Sequence, residues 1–355
     1  MPFDVLKSGF APWGRMLAAG VLAGALAACG SAPVRTSGAA VPDTGLAPVA
    51  APALAAVPAP AAAASPAVSA SGRLDDTPRI AVMSAFAPEL ALLRQRVKNA
   101  RTYQVNGVVF TTGELESQPV VLLLSGISMV NAAMNTQLLF DRFQVTRLVF
   151  SGIAGGVNPD LHLGDVSVPQ RWGQYLEVVM MRETAPGRFQ APASKGQFQF
   201  APYGMMQPRA VRVRRPGQPD FQEKFWFEAD PAMLAVARRI QGVPLKSCDA
   251  AGQCVSRTPR LVVGGNGVSG QAFVDNAAYR RYAHEVFQAN VLDMESAACA
   301  MVAYSNQVPF IAFRSLSDLA GGGAGENEMQ VFMQIAADNA AHVLLAFLRA
   351  WPSQD

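Results

Sequence analysis

The stretch VPFIAFRSLSDLAGGG, residues 308–323, begins as an apolar run and ends in a glycine triplet. Its first half reads as a buried strand. Asp318 stands just past the end of that strand, with Arg314 as the one charge beside it and a backbone free to bend around it. In open α/β sheets ligands sit at the carboxyl ends of strands. An aspartate in that position therefore marks a candidate site.

Working outward from this stretch, strand and helix patterns alternate from residue 79 on. RIAVMSA is a short apolar run, and PELALLRQRVKNA has helical periodicity with Pro88 near its start. YQVNGVVFTTGEL and QPVVLLLSG read as strands, MVNAAMNTQLLFDRF as a helix, and RLVFSGIAGG as a buried strand ending in glycines. The stretch 169–258 is Pro- and Gln-rich and reads as irregular. PRLVVGGNGVSG, VLDMESAACAMVAYS and VPFIAFRSLSD resume the alternation, and EMQVFMQIAADNAAHVLLAFLRAW closes it as an amphipathic helix. This order predicts an α/β sandwich around a mixed or parallel sheet. The strand-end rule then gathers Asp318, Gly152, Gly155, Gly156, Asp293 and Glu295 in one region.

The other end of the chain has a different character. Lys7 and Arg15 precede MLAAGVLAGALAAC, which ends at Cys29. A basic segment, a short apolar core and small residues describe a secretory signal. LAAC at 26–29 resembles a bacterial lipobox, in which Cys29 is lipidated and becomes the mature N-terminus. Residues 30–78 are dominated by Ala, Pro, Ser and Gly and read as a tether without a core of its own. The folded domain is expected over 79–355.

A net charge of +3 gives no reason to expect nucleic acid as a partner. The basic run RAVRVRR, 209–215, reads either as a solvated loop or as a contact for anionic lipid. Cys248 and Cys254 bracket DAAGQ and are expected to pair as a disulfide in an oxidising compartment, whereas Cys299 lies in an apolar helix as a buried thiol. The cysteines and the three histidines have no metal-ligand spacing, so neither a zinc site nor a histidine base is expected.

Glu89, Glu295 and Asp318 all stand at strand or helix ends beside apolar segments. Each one alone is explained by capping or by surface charge. Three together, with no lysine adjacent, exceed what capping requires.

The segments RIAVMSAFAPEL, SGISMVNAAMNTQLL, VFSGIAGGVNPDLHLGDVSV, GQAFVDN, DMESAACA and VPFIAFRSLSDLA occur in this order. Together they resemble the nucleoside phosphorylase superfamily, in the branch of methylthioadenosine/S-adenosylhomocysteine nucleosidases. The run from NGVSGQAFVDNAAYRRY to SDLAGGG is similar to the bark-storage-protein relatives of that branch. The resemblance implies a three-layer α/β/α sandwich around a mixed central sheet. It implies cleavage of the N-glycosidic bond of a purine nucleoside, no cofactor, and allows a homodimer. By matched position it gives Glu89 the activation of water and Asp318 the protonation of purine N7. Glu295 falls on the residue that binds the ribose hydroxyls, and Met294 on the one beneath the sugar. Phe273 and Val274 fall in the base pocket, and Gly155 on the loop nearest the ribose. Ser317 is placed to orient the Asp318 carboxyl.

The residue types suit that chemistry. An acid at N7 makes the base a better leaving group. A free aspartate, with a pKa of about 3.9, must be raised by a dry site to serve. The first loop, AFAPE, has no arginine, and a carboxylate at 89 repels phosphate but suits water. Hydrolysis is therefore expected ahead of two alternatives, a phosphate-dependent phosphorylase and a nucleoside-binding lipoprotein without turnover. Ile153 departs from the small or polar residue expected there, and the middle segment is longer than in compact relatives. With Gly30 rather than Asp after the lipidated cysteine, the expected address is the periplasmic face of the outer membrane.

Overall fold

The computed structural model describes residues 72–193 and 198–352. Cys29 and tether residues 30–71 lie outside the described residues. In chain order, β1 (Asp75–Ser84) leads into α1 (Ala87–Arg96), followed by β2 (Lys98–Val105), β3 (Val108–Leu115) and β4 (Gln118–Leu124). Next come α2 (Met129–Arg142), β5 (Phe143–Gly156), β6 (Val166–Val168) and β7 (Arg171–Gln174). Short strands β8 (Val178–Met180), β9 (Arg182–Ala185), β10 (Arg188–Gln190), β11 (Met206–Pro208), β12 (Val211–Arg215) and β13 (Gln218–Lys224) follow. The chain continues through β14 (Trp226–Glu228), α3 (Pro231–Arg239), β15 (Leu261–Val263), β16 (Asn266–Ser269) and α4 (Ala277–Phe287). It closes with β17 (Ala289–Asp293), α5 (Ser296–Ser305), β18 (Phe310–Asp318) and α6 (Met329–Ala350).

The central sheet has the order β14-β7-β16-β17-β5-β1-β4-β3-β2, with β18 on β5 and β6, and β15 on β6. Its pairing is mixed: β1, β4, β5 and β18 run parallel, whereas β2, β3 and β4 form an antiparallel meander. β5 is the pivot. Its body pairs with β1 and β18, and its last residues, Gly155 and Gly156, pair antiparallel with Leu292 and Val291 of β17. Two half-sheets are thereby joined at the glycines, and the carboxyl ends of β1, β5, β17 and β18 converge.

Helices cover both faces. α1, α3 and α6 bury Leu90, Leu93, Met233, Leu344 and Phe347 against Val82, Leu122 and Phe313. α2 and α5 bury Ala132, Leu139, Ala300 and Ala303 against Met83, Phe150 and Phe310. This is the three-layer α/β/α sandwich. By length and composition α6 could cross a membrane, but it is a core helix, with Leu344, Phe347 and Leu348 fully buried on the sheet. Removing a buried phenylalanine such as Phe347 costs about 3–5 kcal/mol.

Several features differ from the sequence reading: α1 stops at Arg96, so Lys98–Ala100 belong to β2, and YQVNGVVFTTGEL is divided between the antiparallel strands β2 and β3. β1 starts at Asp75 rather than at Arg79, because Asp75 pairs with Phe143 of β5 and its carboxylate holds Arg79 at 2.6 Å. The stretch 169–258 is not irregular throughout. β7 and β14 extend the central sheet, α3 lies on its face, and the strands between form three local pairs: β8 with β11, β9 with β10, and β12 with β13. The basic run is a strand rather than a loop. Arg212 and Arg214 are exposed, and the guanidinium of Arg214 lies 4.3 Å from the Phe221 ring of β13.

Candidate active site

Each acidic residue is carried to one place by the end of a strand. Glu89 lies in the first turn of α1, just after β1. Its Oε2 accepts the N–H groups of Ala85 (2.6 Å) and Phe86 (3.4 Å), so it does cap the helix. Its Oε1 accepts the Ile153 N–H of β5 at 2.8 Å. Capping and a place in the site are both true of this residue. Ile153 contributes its backbone, so the departure at its side chain leaves that contact intact.

Arg314 is fully buried in β18, where all nine residues are buried. A guanidinium in such a place must be paired. Its Nη2 donates to Glu295 Oε2 (3.1 Å) and its Nη1 to the Ile153 carbonyl (3.1 Å). Its Nε–H is aimed at Ser296 Oγ (3.0 Å), with Asp293 Oδ2 at 2.7 Å, and Glu89 Oε1 lies 3.7 Å from Nη1. The plane also stacks 4.2 Å from the Phe150 ring. Burial opposes the charge, but Asp293, Glu295 and Glu89 hold it, and the pKa is raised. One cation thus ties together three carboxylates from different elements.

Gly152 makes the meeting feasible. A Cβ there would lie 2.7 Å from the Glu89 carboxyl carbon and against Arg314 Nη1. Asp293 is anchored in turn: its Oδ1 accepts the Ser269 hydroxyl and the N–H groups of Glu295 and Ser296 (each 3.2 Å). Glu295 Oε1 accepts the Ser128 N–H at 2.8 Å. Burial pushes Glu295 up to about 7, with Arg314 pulling it down and Asp293 adding to the rise. Burial also raises Glu89, against Arg314 and its three backbone donors.

Asp318 stands apart from that cluster at the end of β18. Its Oδ2 is 2.9 Å from Ser317 Oγ, and its Oδ1 accepts the Ala320 N–H at 2.8 Å. Burial raises its pKa, and these donors together with Asn327 moderate the rise. Burial of this kind favours the protonated carboxylic acid over the carboxylate.

A cavity of about 260 Å³ joins these groups. Glu89, Gly155, Phe273, Val274, Met294, Glu295, Ser317 and Asp318 all line it, beside Phe86, Ile127, Ile153, Met329 and Met333. Every catalytic and substrate-binding residue expected from the sequence is therefore in one place. Phe273 is 56% exposed, so its ring is an open wall rather than a core residue. A Cβ on Gly155 would sit 3.1 Å from Asp318 Oδ1 and crowd Ala320 and Leu292. The residues that sequence reasoning missed are Arg314 as the hub, Asp293 as its anchor, and Asn327. The detectable signal was an arginine directly after the apolar run FIAF of a buried strand.

Cys248 and Cys254 are disulfide-bonded, closing a loop away from the cavity. Cys299 is buried, and burial pushes its thiol up to about 12.

The chain is similar in sequence and fold to known proteins. The chain belongs to the phosphorylase superfamily, whose family model covers residues 79–349. Within it, the chain is similar to 5′-methylthioadenosine/S-adenosylhomocysteine nucleosidases. The nucleosidase of that name from Mycobacterium bovis is 29% identical over 273 residues, 76% of this chain and 96% of the relative. The one from Bacillus thuringiensis is 32% identical over 247 residues, 68% of this chain and 87% of the relative. Among solved structures, the Streptococcus pneumoniae nucleosidase with a transition-state inhibitor superposes with a TM-score of 0.56 at 26% identity, covering 77% of this chain and 99% of that one.

Proposed function

We propose that this protein hydrolyses the N-glycosidic bond of a purine nucleoside such as 5′-methylthioadenosine or S-adenosylhomocysteine, releasing adenine. The observation that carries this reading is one cavity walled by Asp318, a buried acid with its own donors, and by Glu89, a buried carboxylate beside Arg314. Similarity to 5′-methylthioadenosine/S-adenosylhomocysteine nucleosidases supports the same reaction.

In this reading the base stacks on Phe273 and meets the backbone at Val274. Met294 lies beneath the sugar, and Glu295 accepts the ribose hydroxyls. As the bond from the sugar to N9 breaks, its electron pair goes to the base and Asp318 delivers its proton to N7. Positive charge builds on the ribose. Water attacks the anomeric carbon and gives a proton to Glu89. Arg314, saturated by carboxylates, holds Glu89 and Glu295 in place rather than binding an anion of its own.

Water is favoured over phosphate by charge. No Lys or Arg is among the described residues that line the cavity, and the adjoining cluster sets three carboxylates against one guanidinium. A phosphate dianion would have to be desolvated there without compensation. The test is incubation with 5′-methylthioadenosine, S-adenosylhomocysteine, adenosine and inosine, with and without phosphate. Adenine release independent of phosphate is expected. Release that requires phosphate would make the chain a phosphorylase, and binding without release would make it a nucleoside-binding protein.

We also infer, from LAAC at 26–29 and the Ala/Pro-rich stretch behind it, that lipid on Cys29 holds the enzyme at the cell envelope, on the periplasmic face of the outer membrane. There its substrate would be extracytoplasmic nucleoside, and its role purine salvage.

A further inference from the structure

We propose that Asn327 is a positioning residue that fixes which oxygen of the Asp318 carboxyl carries the transferable proton. This rests on the hydrolase reading above, in which Asp318 is the acid.

The Asn327 side-chain amide has a determined orientation. Its Nδ2 lies 3.4 Å from Asp318 Oδ1 and 3.2 Å from Asp275 Oδ1, while its Oδ1 accepts the Met329 N–H at 2.9 Å. Turning the amide over would set its oxygen against two carboxylates and its NH₂ against an N–H. Only one assignment satisfies all three contacts.

The consequence falls on Asp318. Its Oδ1 receives two N–H donors, from Ala320 (2.8 Å) and from Asn327 (3.4 Å). An oxygen that carries the acid proton has little capacity left to accept two donors. The proton is therefore directed to Oδ2, which lies 2.9 Å from Ser317 Oγ. A hydroxyl can donate to that oxygen while the oxygen donates to a base. Without Asn327, Oδ1 keeps a single N–H donor and becomes a competing place for the proton.

The same amide ties the acid to the base-side loop. Asp275 follows Phe273 and Val274, which wall the cavity. The loop carrying Asn327 is itself clamped there: the Asn276 N–H donates to the Ala320 carbonyl at 3.1 Å. Gly321, at φ +83°, lies so close that a Cβ would come within 2.6 Å of the Asp275 carbonyl carbon. Beyond Asn327, Met329, Gln330 and Met333 of α6 line the cavity. The charged groups on this side are Glu328 of the same segment, which raises Asp318, Asp275 of the base-side loop, and Arg280 of α4, whose Nε–H goes to the Gly156 carbonyl at 3.0 Å.

The test compares Asn327→Asp and Asn327→Ala with wild type in the full chain. Asn327→Asp keeps the shape and the acceptor for the Met329 N–H but loses both donors. Both variants are expected to lose about 10- to 100-fold in kcat, with KM for 5′-methylthioadenosine within about threefold. A residue that merely starts α6 would leave Asn327→Asp near wild type and impair only Asn327→Ala, which would overturn the proposal. A second measurement does not depend on turnover. ¹³C NMR titration of the aspartate carboxyls, with Asp318→Asn for assignment, should place the Asp318 midpoint higher in Asn327→Asp, because donors favouring the ionised form are gone and a further carboxylate is near. An unmoved midpoint would also overturn it. If wild type releases no base, the hydrolase reading fails, and the titration still decides whether Asn327 acts on the Asp318 carboxyl.

Discussion

Asp318 has to be dry enough to hold a proton and open enough to give it away. Both conditions are met by a residue at the end of a buried strand that faces a cavity. Asp318→Asn keeps the shape and the Ser317 contact but cannot donate the proton. Its kcat should fall by about 10²–10⁴-fold with substrate affinity retained, measured by adenine release and by equilibrium binding. Turnover within a few-fold of wild type would remove Asp318 from the mechanism. Glu295 makes a separate prediction about stability. Burial lifts it from its ordinary value of 4.5 to about 7. Between those values the folded chain holds a proton that the unfolded chain has released. The stability this group contributes is full below 4.5 and is lost as pH rises through about 7. The Tm of wild type should therefore fall across that window more steeply than that of Glu295→Gln, which has no proton to release. Parallel curves would clear Glu295 of that role. At this scale the sequence was informative about Glu89, Glu295 and Asp318, since carboxylates at the ends of apolar runs stand out. Arg314 was visible as a charge but not as a hub, because its partners come from β1–α1, β17 and α5, far apart in sequence.

Among the elements, the long apolar runs were legible and the short ones were not. β18 opens with the apolar run FIAF and β17 carries Val291 and Leu292 before Asp293, and both strands are buried at every position. β7 and β14, with four and three residues, carry too little pattern to be told from loop, although they extend the central sheet. β12 alternates Val and Arg, a strand signal that the density of positive charge obscured. The disulfide loop is a local device of the same region. It spans a sequence separation of 6, so closing it stabilises by about 2 kcal/mol at best. Neither cysteine lines the cavity. The Cys248→Ser/Cys254→Ser double variant should melt a few degrees lower with kcat unchanged, about the shift that such a difference gives a domain of this size. A loss of activity at full folding would show that the loop supports the site.

At the scale of the whole molecule, the fold brings strand ends from both halves of the chain to one cavity, and β5 is what joins them. The order of elements was enough to anticipate that architecture, whereas the pairing of Gly155 and Gly156 with β17 is displayed by no local pattern. Location is argued from the N-terminal segment alone. Cys29→Ala should move the protein from the membrane fraction to the soluble or precursor pool, and a wild type that fractionates as soluble would end both the lipid-anchor and salvage proposals. The central claim is that a nucleoside is cleaved by water, with Glu89 and Asp318 as base and acid. It is tested most directly by mass analysis of the sugar formed from 5′-methylthioadenosine in phosphate buffer. The prediction is free 5-methylthioribose in step with adenine, lost together in Glu89→Gln and Asp318→Asn. A sugar 1-phosphate, or intact nucleoside after prolonged incubation with folded enzyme, would contradict it.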